Sequence, residues 1–235
     1  MSTVSNAVSK NLDLTVNKPL KRLVYEAFRK TIILGEIPAG ERINEKEFSE
    51  IMNISRTPIR YALQTLVEEK LVEHVPGIGI IVKGINTKDA YEIYAIRKSL
   101  DVLATTTAMK QMTPADFEAL KSLLKTTEAL NEADQVEAVL QKFSDFNEFI
   151  YNKSQMLRLK SIVLKLQEYL IYFRDIAVRS KERRDKALKE HWLIYRGMLN
   201  QDEQQLTLLI TEHLDYSLKF IIKEMDQRLN DKQSL

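Results

Sequence analysis

Cysteine is absent from all 235 residues, which removes disulfides, thiol catalysis and thiolate metal sites together and suits a reducing cytoplasm. Long apolar runs are also missing, and nothing approaches the roughly 20 residues a membrane helix needs. Met1 to Lys18 carries Ser, Asn and Val without a continuous apolar stretch, so it is no signal peptide and reads as a flexible tail, 1–18. Neither sign of charge dominates: 35 Lys and Arg face 33 Asp and Glu. Up to Gly84 the count is 12 basic against 10 acidic residues, and beyond it 23 against 23. A nucleic-acid surface here must therefore be one basic face, not a basic whole.

Glycine and proline are scarce and unevenly placed. Five of six glycines and four of five prolines lie in the first 84 residues. Both residues punctuate turns and strand ends. The first third therefore reads as short elements, and the rest as long helices with short connections.

In the first third, Leu20, Leu23, Val24, Ala27, Phe28 and Ile32 form a helical stripe that ends at Gly35. Asn44 can cap a short helix, with Glu47 at the capping-box position, while Phe48 and Ile51 face inward. Asn53 tolerates the left-handed backbone that a tight turn after Met52 requires. Ser55 can cap the next helix, which runs to about Lys70 with Pro58 in its first turn. Its buried stripe is Ile59, Ala62, Leu63, Leu66 and Val67. Arg56, Arg60 and Gln64 then form a ridge at four-residue spacing, with Thr57 and Tyr61 also off the stripe. Arginine bonds both guanine edges and phosphates, and a polar helix N-terminus after a short turn is how a recognition helix meets the major groove. Two β-like runs follow, 71–75 and 78–83, around Pro76-Gly77, as a wing would.

Three segments in order then carry a resemblance: Gly35-Glu-Ile-Pro-Ala-Gly40-Glu-Arg-Ile, Ser55-Arg-Thr-Pro-Ile-Arg60-Tyr-Ala-Leu and Gly79-Ile-Ile-Val82. Residues 20–83 resemble the DNA-binding domain of GntR-type regulators. The resemblance implies that Lys46, Ser55, Arg56, Thr57 and Arg60 meet operator DNA, with Gly77 at the wing tip near the minor groove. Many relatives carry a basic residue at that tip; this wing offers Pro76-Gly77-Ile78.

The remainder reads as six helices: about 87–111, 114–130, 135–154, 156–180, 183–200 and 203–229. Thr113-Pro114 and Asp202 are start signals. The segment Ile96-Arg97-Lys-Ser-Leu-Asp101-Val-Leu-Ala and the pair Glu190-His191 resemble the FCD subgroup, the FadR-like C-terminal domain. The fold class is then mainly α: a winged helix-turn-helix over 19–84, followed by an all-helical effector-binding and dimerisation bundle over 85–235.

His191 lies nine residues before Asn200 and His213 eleven after Asp202. If the last two helices form a hairpin there, 1.5 Å per residue puts the imidazoles within roughly 3 Å of one height. Two facing imidazoles suit zinc, nickel or a related divalent metal, although unrelated helical histidines have the same spacing. In related proteins an Asp-x-x-x-His pair completes the site. The matching positions here are Phe143 and Asn147, so both of those ligands are missing; the Asn147 amide can still coordinate, and Asp145 is close by.

By the resemblance, Arg97 points into the effector cavity and pairs with a carboxylate; by spacing alone it equally suits a salt bridge with Asp101. Tyr172 and Arg174 are placed to line the same space. The chain as a whole is similar to citrate-responsive regulators, which implies citrate as effector. An acyl-CoA effector without metal is the alternative, and a metal-dependent hydrolase the weakest reading, since no third strong ligand or general base is in place. Specific binding by one small winged helix needs a second copy, so a homodimer on double-stranded operator DNA, with no membrane, is expected.

Overall fold

A computed structural model describes residues 3–233, with side chains from 6 to 227. The chain divides into two compact units, 1–86 and 87–235.

The first unit opens on α1 (Thr3–Asn11) and α2 (Leu20–Ile33), continues through β1 (Arg42–Ile43), α3 (Glu45–Ile51) and α4 (Arg56–Glu68), and ends on β2 (Val72–Val75) and β3 (Gly79–Val82). The stripe of α2 packs on Ile59, Ala62, Leu63 and Leu66 of α4, and Phe28 meets Phe48 of α3 with ring centroids 4.9 Å apart. Arg29 donates to Glu69, the C-cap of α4, at 2.9 Å, and Tyr25 bonds the same carboxylate.

Several expectations change. The segment read as a loose tail contains α1, which packs on α2. Val8 is fully buried, and Asn11 donates to Thr31 and Glu36. A single buried valine plus two side-chain bonds is too short a pattern to show as periodicity. Ser55 is the N-cap of α4 but makes no side-chain capping bond, whereas Asn44 Oδ1 accepts from the amides of Lys46 and Glu47 as expected. Val67 is 36% exposed, at the edge of a stripe centred on Leu63. Asn53 is left-handed, φ 51°, which permits the tight α3–α4 turn. The wing hairpin β2–β3 belongs to a three-stranded antiparallel sheet, order β1-β3-β2, with β3 in the centre; the two-residue β1 was missed because its pairing is wholly non-local.

The second unit is a bundle of α5 (Thr87–Gln111), α6 (Pro114–Glu132), α7 (Val136–Lys153), α8 (Leu157–Glu168), α9 (Ile171–Val178), α10 (Lys181–Leu199) and α11 (Glu203–Gln233). Thr113 and Asp116 form a capping box on α6, and Asp202 accepts from Gln205 N at the start of α11. The helix expected over 156–180 is two helices, broken where Leu170 takes φ −116° and ψ 4°. No Pro or Gly marks that break; packing makes it. Leu159 and Val163 of α8 join Ala104 and Tyr151 in one cluster, while α9 turns away to pack on α10 and α11. Among the described residues no helix is long and apolar enough to cross a membrane.

Candidate functional site

The exposed side of α3–α4 carries the residues expected at DNA. Arg56, Thr57, Arg60, Tyr61 and Gln64 are exposed, because the complementary side of α4 is committed to α2. Lys46 stands out from the first turn of α3, 3.9 Å from Glu50. Arg60 is held on Glu45: its Nε and Nη2 both donate to Oε2, at 3.2 and 3.1 Å. An exposed pair of this kind is worth little, so a phosphate or base edge can replace the carboxylate. Ser55 is exposed at the α4 N-terminus, and Gly77 is exposed at the hairpin turn with φ 77°. A left-handed backbone there favours glycine at the wing tip.

The second site lies inside the bundle. Arg97 of α5 is buried and donates to Asp101 Oδ2 at 3.0 Å, so the salt bridge that the spacing allowed is made. The other Asp101 oxygen accepts from Tyr151 Oη of α7 at 2.6 Å, and Gln167 of α8 donates to that hydroxyl at 3.0 Å. Burial opposes the charge on Arg97, but Asp101, Tyr94 and Tyr151 outweigh it and its pKa rises. Burial, with Asp101 next, pushes the Tyr151 phenol well above its ordinary value. One guanidinium nitrogen, Nε, is buried without a hydrogen-bond partner. The Arg97–Asp101 bridge therefore leaves donor capacity facing the interior.

Two small cavities flank this network. One, about 30 Å³, is lined by Arg97, Asp101, Phe146, Asn147, Tyr151 and His213 among others. The other, about 40 Å³, is lined by Phe143, Asn147, Arg174, Arg183, His191 and His213 among others. Asn147 and His213 face both, so they form the partition between two lobes. Each lobe as it stands holds only a few waters. His213 also lines a surface groove of about 300 Å³ between α10 and α11.

His191 and His213 do meet, with ring centroids 5.1 Å apart. His191 is buried, stacked on Phe146 at 4.2 Å, with Phe143 edge-on at 5.0 Å. Burial first, then nearby His213, Arg183 and Arg174, holds its pKa well below the ordinary value. Its Nδ1 has no partner. His213 Nδ1 lies 2.7 Å from Glu190 Oε2, the carboxylate accepting from the ring N–H. Among the described residues no group of three His, Asp or Glu side chains is placed to hold a metal ion.

Arg174 lines the second lobe and is bonded to Asp175. Tyr172 lies outside both lobes: it is two residues from Arg174 on α9, and residues at that spacing point to different sides of a helix. Sequence reasoning missed Arg183, which is 3% exposed and lines the second lobe. Arg183 falls two residues after the break at α10's start, where a charged residue reads as a solvated first turn. Its proximity to the cavity follows from the α9–α10 packing.

Comparison with known proteins agrees with this division. The profile described as "Bacterial regulatory proteins, gntR family" matches residues 20–82, and that of the FCD domain matches 92–216. The Bacillus subtilis HTH-type transcriptional regulator YdhC is 24% identical over 218 residues, covering 90% of this chain and 97% of that protein. The structure of Escherichia coli McbR/YncC superposes with a TM-score of 0.61 at 20% identity, covering 88% of this chain and 98% of the other. The Listeria monocytogenes regulator Lar superposes with a TM-score of 0.67 at 17% identity, covering 88% and 99%. The chain therefore belongs to the GntR family of bacterial regulatory proteins, in the group that pairs this head with an FCD domain, and is a ligand-responsive transcription regulator rather than an enzyme.

Proposed function

We propose that the chain is a homodimeric operator-binding regulator whose bundle takes up a small carboxylate, with citrate as the best guess, and thereby controls carboxylate-utilisation genes. The observation that carries this reading is the buried Arg97, with its Nε–H left unpartnered, beside a cavity partition made by Asn147 and His213. A planar guanidinium in a dry setting selects a carboxylate by paired, charge-assisted hydrogen bonds. Arg174 and His191 extend the same polar lining. Binding merges the two lobes, because neither alone has room for a molecule of citrate's size.

The donor set also fits a divalent ion such as zinc or nickel. His191, His213 and Asn147 would hold it, and Glu190 behind His213 is the carboxylate that commonly orients a ligating imidazole. Bound there, the ion would supply positive charge to an effector carboxylate and leave positions for a chelating ligand to fill. Effector and metal would then raise each other's affinity. An acyl-CoA effector is opposed by the ion pair and polar partition where an acyl chain would lie.

On the DNA side, Lys46, Ser55, Arg56, Thr57, Arg60 and Gly77 form the operator face, duplicated by the second protomer for a paired half-site. Calorimetric titration with citrate tests the reading, run as purified, with EDTA, and with zinc or nickel restored. Citrate binding that falls with EDTA and returns with metal supports the assisted site. Binding that EDTA leaves unchanged removes the metal and keeps the carboxylate. No binding in any condition overturns the carboxylate reading.

A further inference from the structure

The second lobe contains a cation that its surroundings leave short of negative charge. Arg183 is 3% exposed, and its Nη1 lies 3.5 Å from Glu190 Oε2 without an aligned hydrogen bond. Glu190 is not free to serve it. The same oxygen accepts from His213 at 2.7 Å, and the other lies 3.8 Å from Lys186. One carboxylate is therefore shared between two cations and an imidazole. The guanidinium is also held in place: its carbon sits 5.2 Å from the Tyr216 ring centroid and 5.5 Å from that of Phe220. Cation–ring contacts of this sort fix the plane of the fork without using its hydrogens.

The first lobe holds Arg97 and the second holds Arg183, with Asn147 and His213 between them. A buried donor left unsatisfied costs more than a bond made to it returns, so a ligand that reaches Arg183 gains both. We infer that Arg183 is a second anion anchor of the interior site, and that the effector carries two anionic groups, one received beside Arg97 and one by Arg183. This rests on the reading of the bundle interior as a carboxylate site and adds the ligand's two-ended character.

The test is calorimetry on the full chain with citrate, malate and succinate against two monocarboxylates, butyrate and 2-hydroxyisobutyrate. The wild type is expected to bind at least one two-ended acid tighter than both monocarboxylates by roughly tenfold or more, the scale of one charge-assisted contact. Arg183→Gln should erase most of that preference while leaving monocarboxylate affinity within about twofold, and Arg183→Lys should restore part of it. Comparable wild-type affinity for one-ended and two-ended acids would overturn the second anchor and leave the carboxylate reading standing. So would equal weakening of both classes by Arg183→Gln, since that is the mark of a structural residue. Failure of every acid to bind the wild type would instead overturn the carboxylate reading itself, and this inference with it.

Discussion

Asp101 shows how much depends on single side chains here. Its two oxygens are divided between Arg97 and Tyr151, all three groups buried. Arg97→Ala would leave a buried carboxylate with only a phenol, and breaking such a pair costs about 3–5 kcal/mol. The double variant Arg97→Met with Asp101→Leu should recover most of that stability in a denaturant melt while citrate binding stays lost. A double variant as unstable as the single would mean that packing, not the stranded charge, sets the cost. His191 makes a pH prediction. Its pKa is lowered well below the ordinary 6.5 in the folded state, so the unfolded chain binds the extra proton first. Its contribution to stability is complete above about pH 6.5 and shrinks as pH falls, by up to about 1.4 kcal/mol per pH unit until the folded pKa is reached. Melting temperatures from pH 7.5 down to 5 should show that slope, and His191→Gln should flatten it. An unchanged slope would place the titration elsewhere.

At the scale of elements, legibility followed how local the cause was. Asn44, Thr113 and Asp202 cap helices with bonds to amides two or three residues away, and those starts were readable. The α8–α9 break and β1 are made by partners far along the chain, and neither had a sequence signal. The interior site divided in the same way. Helical rise brought His191 and His213 together on paper, and they meet; Arg183 needed the α9–α10 corner, which was invisible. Tyr172 and Arg174 share α9, but their two-residue spacing turns them to different sides of that helix. Some helix ends also hide their strain. Gln155, after α7, is left-handed with φ 57° and exposed. Glycine takes that backbone freely, so Gln155→Gly should stabilise the chain by about 0.5–1 kcal/mol. A melt showing destabilisation instead would assign the side chain a contact of its own.

For the whole molecule, the two activities should separate by unit, because the residues proposed for operator and for effector lie in different units of the chain. Arg56→Ala and Arg60→Ala should abolish operator shifts in a gel while citrate affinity stays within twofold of wild type. Loss of both would mean the head had unfolded. Lys46→Ala should weaken binding to all sequences alike and lower the salt slope of log K by about one. A sequence-dependent loss would move Lys46 from phosphate to base contact.

Helix α1 bears on a different matter, the place where this chain tolerates being cut or joined. A boundary drawn at Pro19 looks natural on paper, yet it would vacate the seat that Val8 fills and take Asn11 away from Thr31 and Glu36. A reporter fused at the amino end would be anchored beside folded structure instead of hanging from a leash. A protease should find its first internal opening in the connector 12–18, leaving the detached helix to fall away and the domain it had covered loosened.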